Sequence, residues 1–146
     1  MRITYKADYA LKTMLNLAIN YGPDPVSVPG LARRLDIPIK FLEQILSELK
    51  KGGFVESRRG NVGGYLLSKD PSQITLGEVV RFIVGSTEPI ACISKTYSGC
   101  KESSTCVFRD IWFQVNEATT RIIDRINFEE LAKKALGPSE NLVYQI

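Results

Sequence analysis

Between Ser27 and Ser68 the chain is broken three times, at Asp36-Ile37-Pro38, at Gly52-Gly53 and across the glycine-rich run from Gly60 to Gly64. Proline removes a backbone donor and fixes φ, and glycine takes the left-handed conformation that stops a helix. Neither a long helix nor a long strand can therefore cross this region. The pieces between the breaks are periodic. Leu31, Ala32 and Leu35 share a face behind Ser27 as a cap and Pro29 in the first turn, which predicts a short helix. Phe41, Ile45, Leu46 and Leu49 form the apolar stripe of a second helix, stopped at Gly52-Gly53. Phe54-Val55 and Tyr65 to Leu67 then flank the glycine-rich tip, the pattern of a β-hairpin. Upstream, Ala7, Ala10, Leu11, Met14, Leu15 and Ala18 predict an amphipathic helix over residues 5–21, ended by Tyr21-Gly22-Pro23.

Two short helices joined by a tight turn are common in helical cores, and that pair alone favours plain packing. A hairpin placed directly after the second helix changes the balance, because it makes a wing. Arg58 and Arg59 sit where it turns, and their planar charged forks suit phosphates, guanine edges or a narrow minor groove. Gly63 and Gly64 allow close backbone approach. On the outward side of the second helix, Lys40, Glu43, Gln44, Ser47 and Lys51 avoid the stripe, and glutamine can read adenine while glutamate accepts from cytosine. Lys40, Lys50, Arg58 and Arg59 would add salt-dependent phosphate affinity. Charge is distributed to match: 11 Lys/Arg against 7 Asp/Glu before Pro71, and 8 against 9 from there on. The expected fold is mainly α with a small β-hairpin wing, a winged helix-turn-helix domain over residues 1–85 that binds double-stranded DNA.

After Asp70-Pro71, Ile74, Leu76, Val79, Val80, Phe82 and Ile83 predict a helix ending at Gly85. Residues 86–106 read as a loop with Ile90, Ile93 and Tyr97 as anchors. Phe108, Ile111, Trp112, Val115, Ala118, Ile122 and Ile126 then form a stripe sustained over about five turns. This helix is long for the domain, and pairing with the same helix of a second chain is favoured over packing on its own domain, giving a homodimer on a two-fold symmetric operator. Residues 107–136 hold it and a closing helix, "FEELAKKAL", stopped by Gly137-Pro138, and residues 137–146 form a tail. No apolar run approaches a membrane span, and Lys6, Asp8 and Lys12 occupy the place where a secretory leader would need an apolar core, so a cytoplasmic protein is expected.

All three cysteines, Cys92, Cys100 and Cys106, fall in the polar loop, separated by seven and five residues. In a reducing compartment an odd number of thiols points to metal binding or redox sensing rather than to a disulfide framework. The spacing is not that of paired zinc knuckles, and three soft thiolates on one loop can wrap an iron-sulfur cluster, which usually asks for four ligands. With no histidine in the chain, the fourth is a carboxylate or an external molecule. The absence of a nucleophile-base pair or a phosphate loop argues against an enzyme.

The run "LARRLDIPIKFLEQILSELKKGGFVESRRGNVGGYLLSKDPSQITLGEVVRFIVG", followed by three cysteines and a long helix, resembles the bacterial winged-helix regulators that include IscR, NsrR and CymR. The likeness covers roughly residues 1–127 and is most specific in "RGNVGGY" and the cysteine triplet. It implies a homodimeric transcription regulator whose long helices cross, with Lys40, Phe41, Glu43, Gln44 and Arg59 near DNA bases. In the iron-sulfur members it further implies a cluster, 2Fe-2S or 4Fe-4S, on Cys92, Cys100 and Cys106. Arg109 stands where the IscR type has a histidine, whereas Asp8 matches an aspartate that the NsrR type contributes from the partner subunit. A cluster-free thiol or zinc sensor, or a regulator controlled by a protein partner, is the alternative on the same scaffold.

Overall fold

The computed structural model describes the backbone of residues 1–144 and the side chains of residues 1–137. Helix α1, Tyr5–Ile19, begins where the Thr4 hydroxyl accepts from the Ala7 amide, 3.1 Å away, and buries Ala7, Ala10, Met14, Leu17 and Ala18. Thr13 is also fully buried; its hydroxyl donates to the Tyr9 carbonyl at 2.7 Å, so no polar group is stranded there. Helix α2, Val28–Leu35, is capped by Ser27 and ends at Asp36, a non-glycine residue in the left-handed region with φ of 52°. Helix α3, Ile39–Lys51, follows at once.

The stripe of α3 is Leu42, Ile45, Leu46 and Leu49, each at 0% exposure. Phe41, expected in that stripe, is half-buried and packs edge-on against Tyr9 with ring centroids 5.6 Å apart. Positions 42, 45, 46 and 49 follow the helical repeat more closely than a set beginning at 41. The left-handed residue that releases the chain is Gly53 (φ 79°), two after the last helical residue, Lys51.

Strands β1, Val55–Arg58, and β2, Gly64–Leu67, pair antiparallel from Val55 opposite Leu67 to Arg58 opposite Gly64. On the other side of β2, Val26 adds an unexpected isolated bridge: its amide donates to the Tyr65 carbonyl at 2.8 Å and its carbonyl accepts from the Tyr65 amide at 2.9 Å. A Cβ at position 64 would run into the Val26 carbonyl, so glycine there is set by this approach of two backbones.

A 3₁₀ turn, Pro71–Gln73, capped by Asp70, leads to α4, Leu76–Val84. Ile74, expected inside that helix, lies before it and is fully buried, while Thr75 and Glu78 close a reciprocal capping box. Residues 86–106 contain a second 3₁₀ turn, Ala91–Ile93. Of the three expected anchors only Ile93 is buried; Ile90 and Tyr97 are exposed, and the buried neighbour is Thr87.

Helix α5, Val107–Ile123, stops short of Ile126, which lies in the turn before α6, Phe128–Tyr144. That turn is stitched to the start of α4 by Leu76 donating to the Ile126 carbonyl (2.8 Å) and Phe128 donating to the Ile74 carbonyl (3.0 Å). Arg81 holds both carboxylate oxygens of Asp124 at 2.7 and 2.8 Å. Helix α6 packs on α1 and sends Phe128 into the core. It continues through Gly137-Pro138 rather than stopping there. A proline inside a helix removes one hydrogen bond and crowds one carbonyl, at a cost of about 3 kcal/mol, which a helix anchored upstream survives. Of the expected tail, residues 145 and 146 lie outside the described residues. Among the described residues no helix is long and apolar enough to cross a membrane.

Candidate functional site

Two surfaces carry the chemistry-bearing residues. The first is the outward side of α3. Because Leu42, Ile45, Leu46 and Leu49 turn inward, Lys40, Glu43, Gln44 and Ser47 turn out, and with Glu48 and Lys51 they line a groove of about 570 Å³. Glu48 is anchored across the groove edge by Lys6 of α1, 2.7 Å away. The groove offers donors at Lys40 and Lys51, acceptors at Glu43 and Glu48, and groups that do both at Gln44 and Ser47.

The basic residues of the wing are not equivalent. Arg58 folds back to donate to the Pro23 carbonyl at 2.7 Å and lies 3.7 Å from Glu56. Lys50 is drawn to the Ser57 hydroxyl at 2.7 Å, bridging helix and hairpin. Arg59, exposed at the turn, makes no hydrogen bond or ion pair among the described residues and remains available to an anion. Next to it, Val62 is 80% exposed at the tip, an apolar contact that sequence reasoning passed over because a lone valine among glycines carries no periodicity. Gly63 and Gly64 form the return of the wing.

The second surface is a cavity of about 490 Å³ between the loop and the start of α5. Cys92, Cys100 and Cys106 all line it, each free and half-buried. Its remaining walls are Ile90, Ala91, Tyr97, Phe108 and Trp112, so among the described residues no ionised side chain lines it. Cys106 occupies the N-cap position of α5 without a side-chain capping bond, and the helix it starts places Phe108 and Trp112 beside it. Sequence reasoning treated those two aromatics only as stripe residues; their spacing from Cys106 was the available signal. Among the described residues no three cysteines or acids stand close enough together to grip a single metal ion.

Asp8 is elsewhere. It pairs with Lys12 at 2.6 Å, holding that ammonium above its ordinary pKa first by the hydrogen bond and then by charge, and lines a separate hollow with Arg2, Ile3, Thr4 and Tyr5. Arg109 also stays out of the thiol cavity: its guanidinium lies 4.9 Å from the centre of the Phe113 ring, with Nε buried and unpartnered among the described residues. One chain thus gathers the three thiols and leaves Asp8 and Arg109 apart from them.

Helix α5 adds a third feature. Val107, Phe108, Ile111, Val115 and Ile122 are exposed by 75, 59, 49, 41 and 61%, and Ile123 is the helix's buried residue. It meets the rest of the chain chiefly at the Ala91–Ile93 turn and at α4.

Comparison with known proteins gives one answer by three routes. The profile of a family named Rrf2, described as "Iron-dependent Transcriptional regulator", matches residues 3–134. The chain is 37% identical over 131 residues to the HTH-type transcriptional regulator IscR of Klebsiella pneumoniae (strain 342), covering 90% of this chain and 79% of that protein. The IscR of Escherichia coli O1:K1 / APEC gives the same identity and covers 80% of that protein. Among solved structures, CymR (YrzC), the global cysteine regulator of B. subtilis, superposes with a TM-score of 0.76 at 29% identity, covering 92% of this chain and 98% of that one. T. potens IscR superposes with a TM-score of 0.71 at 27% identity over 92% and 88%.

Proposed function

As a member of the Rrf2 family the chain is a DNA-binding transcription regulator and not an enzyme, and we propose that it works as a cytoplasmic homodimer whose affinity for a two-fold symmetric operator is set by an iron-sulfur cluster on Cys92, Cys100 and Cys106. The observation that carries this reading is the convergence of all three thiols of the chain on one cavity with no charged wall. Soft sulfur donors in apolar surroundings suit iron-sulfur chemistry. The donor set fits in kind and falls one short in number. Asp8 of a second chain would supply the missing oxygen ligand, in keeping with its place in a hollow separate from the thiols of its own chain. The cluster, 2Fe-2S or 4Fe-4S, would supply a redox- and nitric-oxide-sensitive link between the loop and α5.

The chain's own residues do the rest. Lys40, Phe41, Glu43 and Gln44 present the reading side of α3 to a major groove, Arg59 takes an adjacent phosphate or minor groove, and Arg58 and Lys50 fix the wing in place. Gly63 and Gly64 let the wing's return strand lie flat against backbone. The apolar side of α5 meets its counterpart, which sets the spacing of the two reading helices.

Anaerobic reconstitution with iron and sulfide tests this. Visible absorption and stoichiometric iron and sulfide are expected in the natural chain, lost when all three cysteines are replaced by alanine, and the two forms should differ in operator affinity. Colourless protein, or identical DNA binding by both, refutes it. A cluster-free thiol sensor is the second reading, favoured by the absence, among the described residues, of any three donors close enough to grip one metal ion and by the similarity to Staphylococcus aureus CymR, solved in an oxidized form (TM-score 0.73, 26% identity, 91% of this chain and 97% of that one).

A further inference from the structure

We propose that the thiol cavity is also a site of covalent modification by small, flat, uncharged carbonyl compounds with a conjugated double bond. This chemistry belongs to the metal-free chain and does not depend on the cluster. Cys92, Cys100 and Cys106 are free thiols, half-buried in one cavity of about 490 Å³. Tyr97, Phe108 and Trp112 give that cavity aromatic walls, and Ile90 stands at its rim, 43% exposed. A space walled this way favours an uncharged ring over an ion, which would lose hydration against these walls with no charged partner among the described residues to offset it. An apolar visitor is thus held beside three sulfurs, and proximity of this kind raises the rate of bond formation.

The step balances without an oxidant. One cysteine sulfur forms a bond to the β-carbon, the π pair of the double bond moves into the carbonyl system, and the α-carbon then takes a proton from water while the thiol's proton passes to water. An S–H and a C=C are replaced by an S–C and a C–H bond. Each adduct removes a thiolate from the set available to metal, so the electrophile and iron compete for the cavity.

Matched probes separate cavity recognition from ordinary thiol reactivity. Full-length, metal-stripped protein is treated under argon with N-phenylmaleimide or with its para-carboxylate, which carries the same reacting double bond and differs by one charge. Rates are read by intact mass and divided by those of N-acetylcysteine. The uncharged probe is expected to be favoured by about tenfold or more, since a carboxylate entering an apolar cavity loses its hydration. The unreactive N-phenylsuccinimide should alter the emission of Trp112, the one tryptophan of the chain. Ile90→Asp, a change at an exposed rim position that leaves the core intact, should erase the preference.

Equal normalised rates for the two probes, or a preference that survives Ile90→Asp, would overturn the proposal. Iron and sulfide uptake, measured on separate samples, keeps the two readings apart. Protein that reconstitutes but shows no preference loses only the electrophile site, and protein that shows the preference but never takes up iron loses only the cluster.

Discussion

Helices α3 and α5 are both amphipathic, yet α3 hides Leu42, Ile45, Leu46 and Leu49 completely inside its own chain, while α5 hides Ile123 and leaves Phe108 and Ile122 some 59 and 61% in water. The first helix has every contact its stripe requires from α1, α2 and β1. The second carries a comparable stripe, and no described residue of its own chain covers most of it. Burying an aliphatic or aromatic side chain stabilises by about 1.5–3 kcal/mol, and that is the gain the proposed pairing of two chains would draw from this side of α5. Among the described residues the winged half packs its apolar stripes within one chain, whereas the half that begins at the thiol loop leaves much of the apolar side of α5 in water.

Truncating one isoleucine in each region gives the sharpest test. Ile45→Ala should cost about 2–5 kcal/mol in urea unfolding, whereas Ile122→Ala should change the stability of the isolated chain by less than about 0.5 kcal/mol and instead weaken self-association in sedimentation. Similar unfolding costs for both would break the contrast. Next in size, Gly64→Ala should lose about 1–3 kcal/mol because the new methyl group meets the Val26 carbonyl, while Gly22→Ala, with open space around it, should be nearly neutral in the same denaturation.

On DNA the contrast shifts to the wing. Arg59→Ala should lower the salt slope of operator binding by about one. Arg58→Ala, which frees the Pro23 carbonyl, should act mainly on wing order, visible as faster amide exchange near Val26. The smallest effect is at Asp70, whose carboxyl is held below its ordinary 3.8 by the Ser72 hydroxyl and then the Ser72 amide. A depressed folded-state pKa contributes stability that is fully present above the unfolded value and is lost as pH falls through the folded one. The natural chain should therefore lose slightly more stability than Asp70→Asn between about pH 5 and about pH 3, as read from urea midpoints.

Much of the winged half was legible because its signals are local. Ser27, Gly53 and Gly85 mark helix ends by their own chemistry, and the hairpin followed from the glycines at its tip. Leu42 was missed beside Phe41: it is the fully buried member of the stripe, while Phe41 packs against the core only in part. The pairing of Val26 with Tyr65 and the bond from Arg58 to Pro23 join residues far apart in the chain, and no period or spacing announces them. The thiol segment was legible as a site from composition, since three cysteines fall in one polar stretch. Its aromatic walls were not, because Phe108 and Trp112 belong to a helix whose stripe accounted for them already.

The Arg81–Asp124 clamp stands at the far end of α5 from Cys106. A Cβ at position 77 would collide with the Asp124 carboxylate, so that joint closes only against a glycine and holds the helix tightly at its base. With 17 residues and a rise of 1.5 Å per residue, the helix is a lever arm of about 25 Å with its fulcrum on the winged half. At that length a tilt of about 5° at the base corresponds to about 2 Å at the sulfur-bearing end.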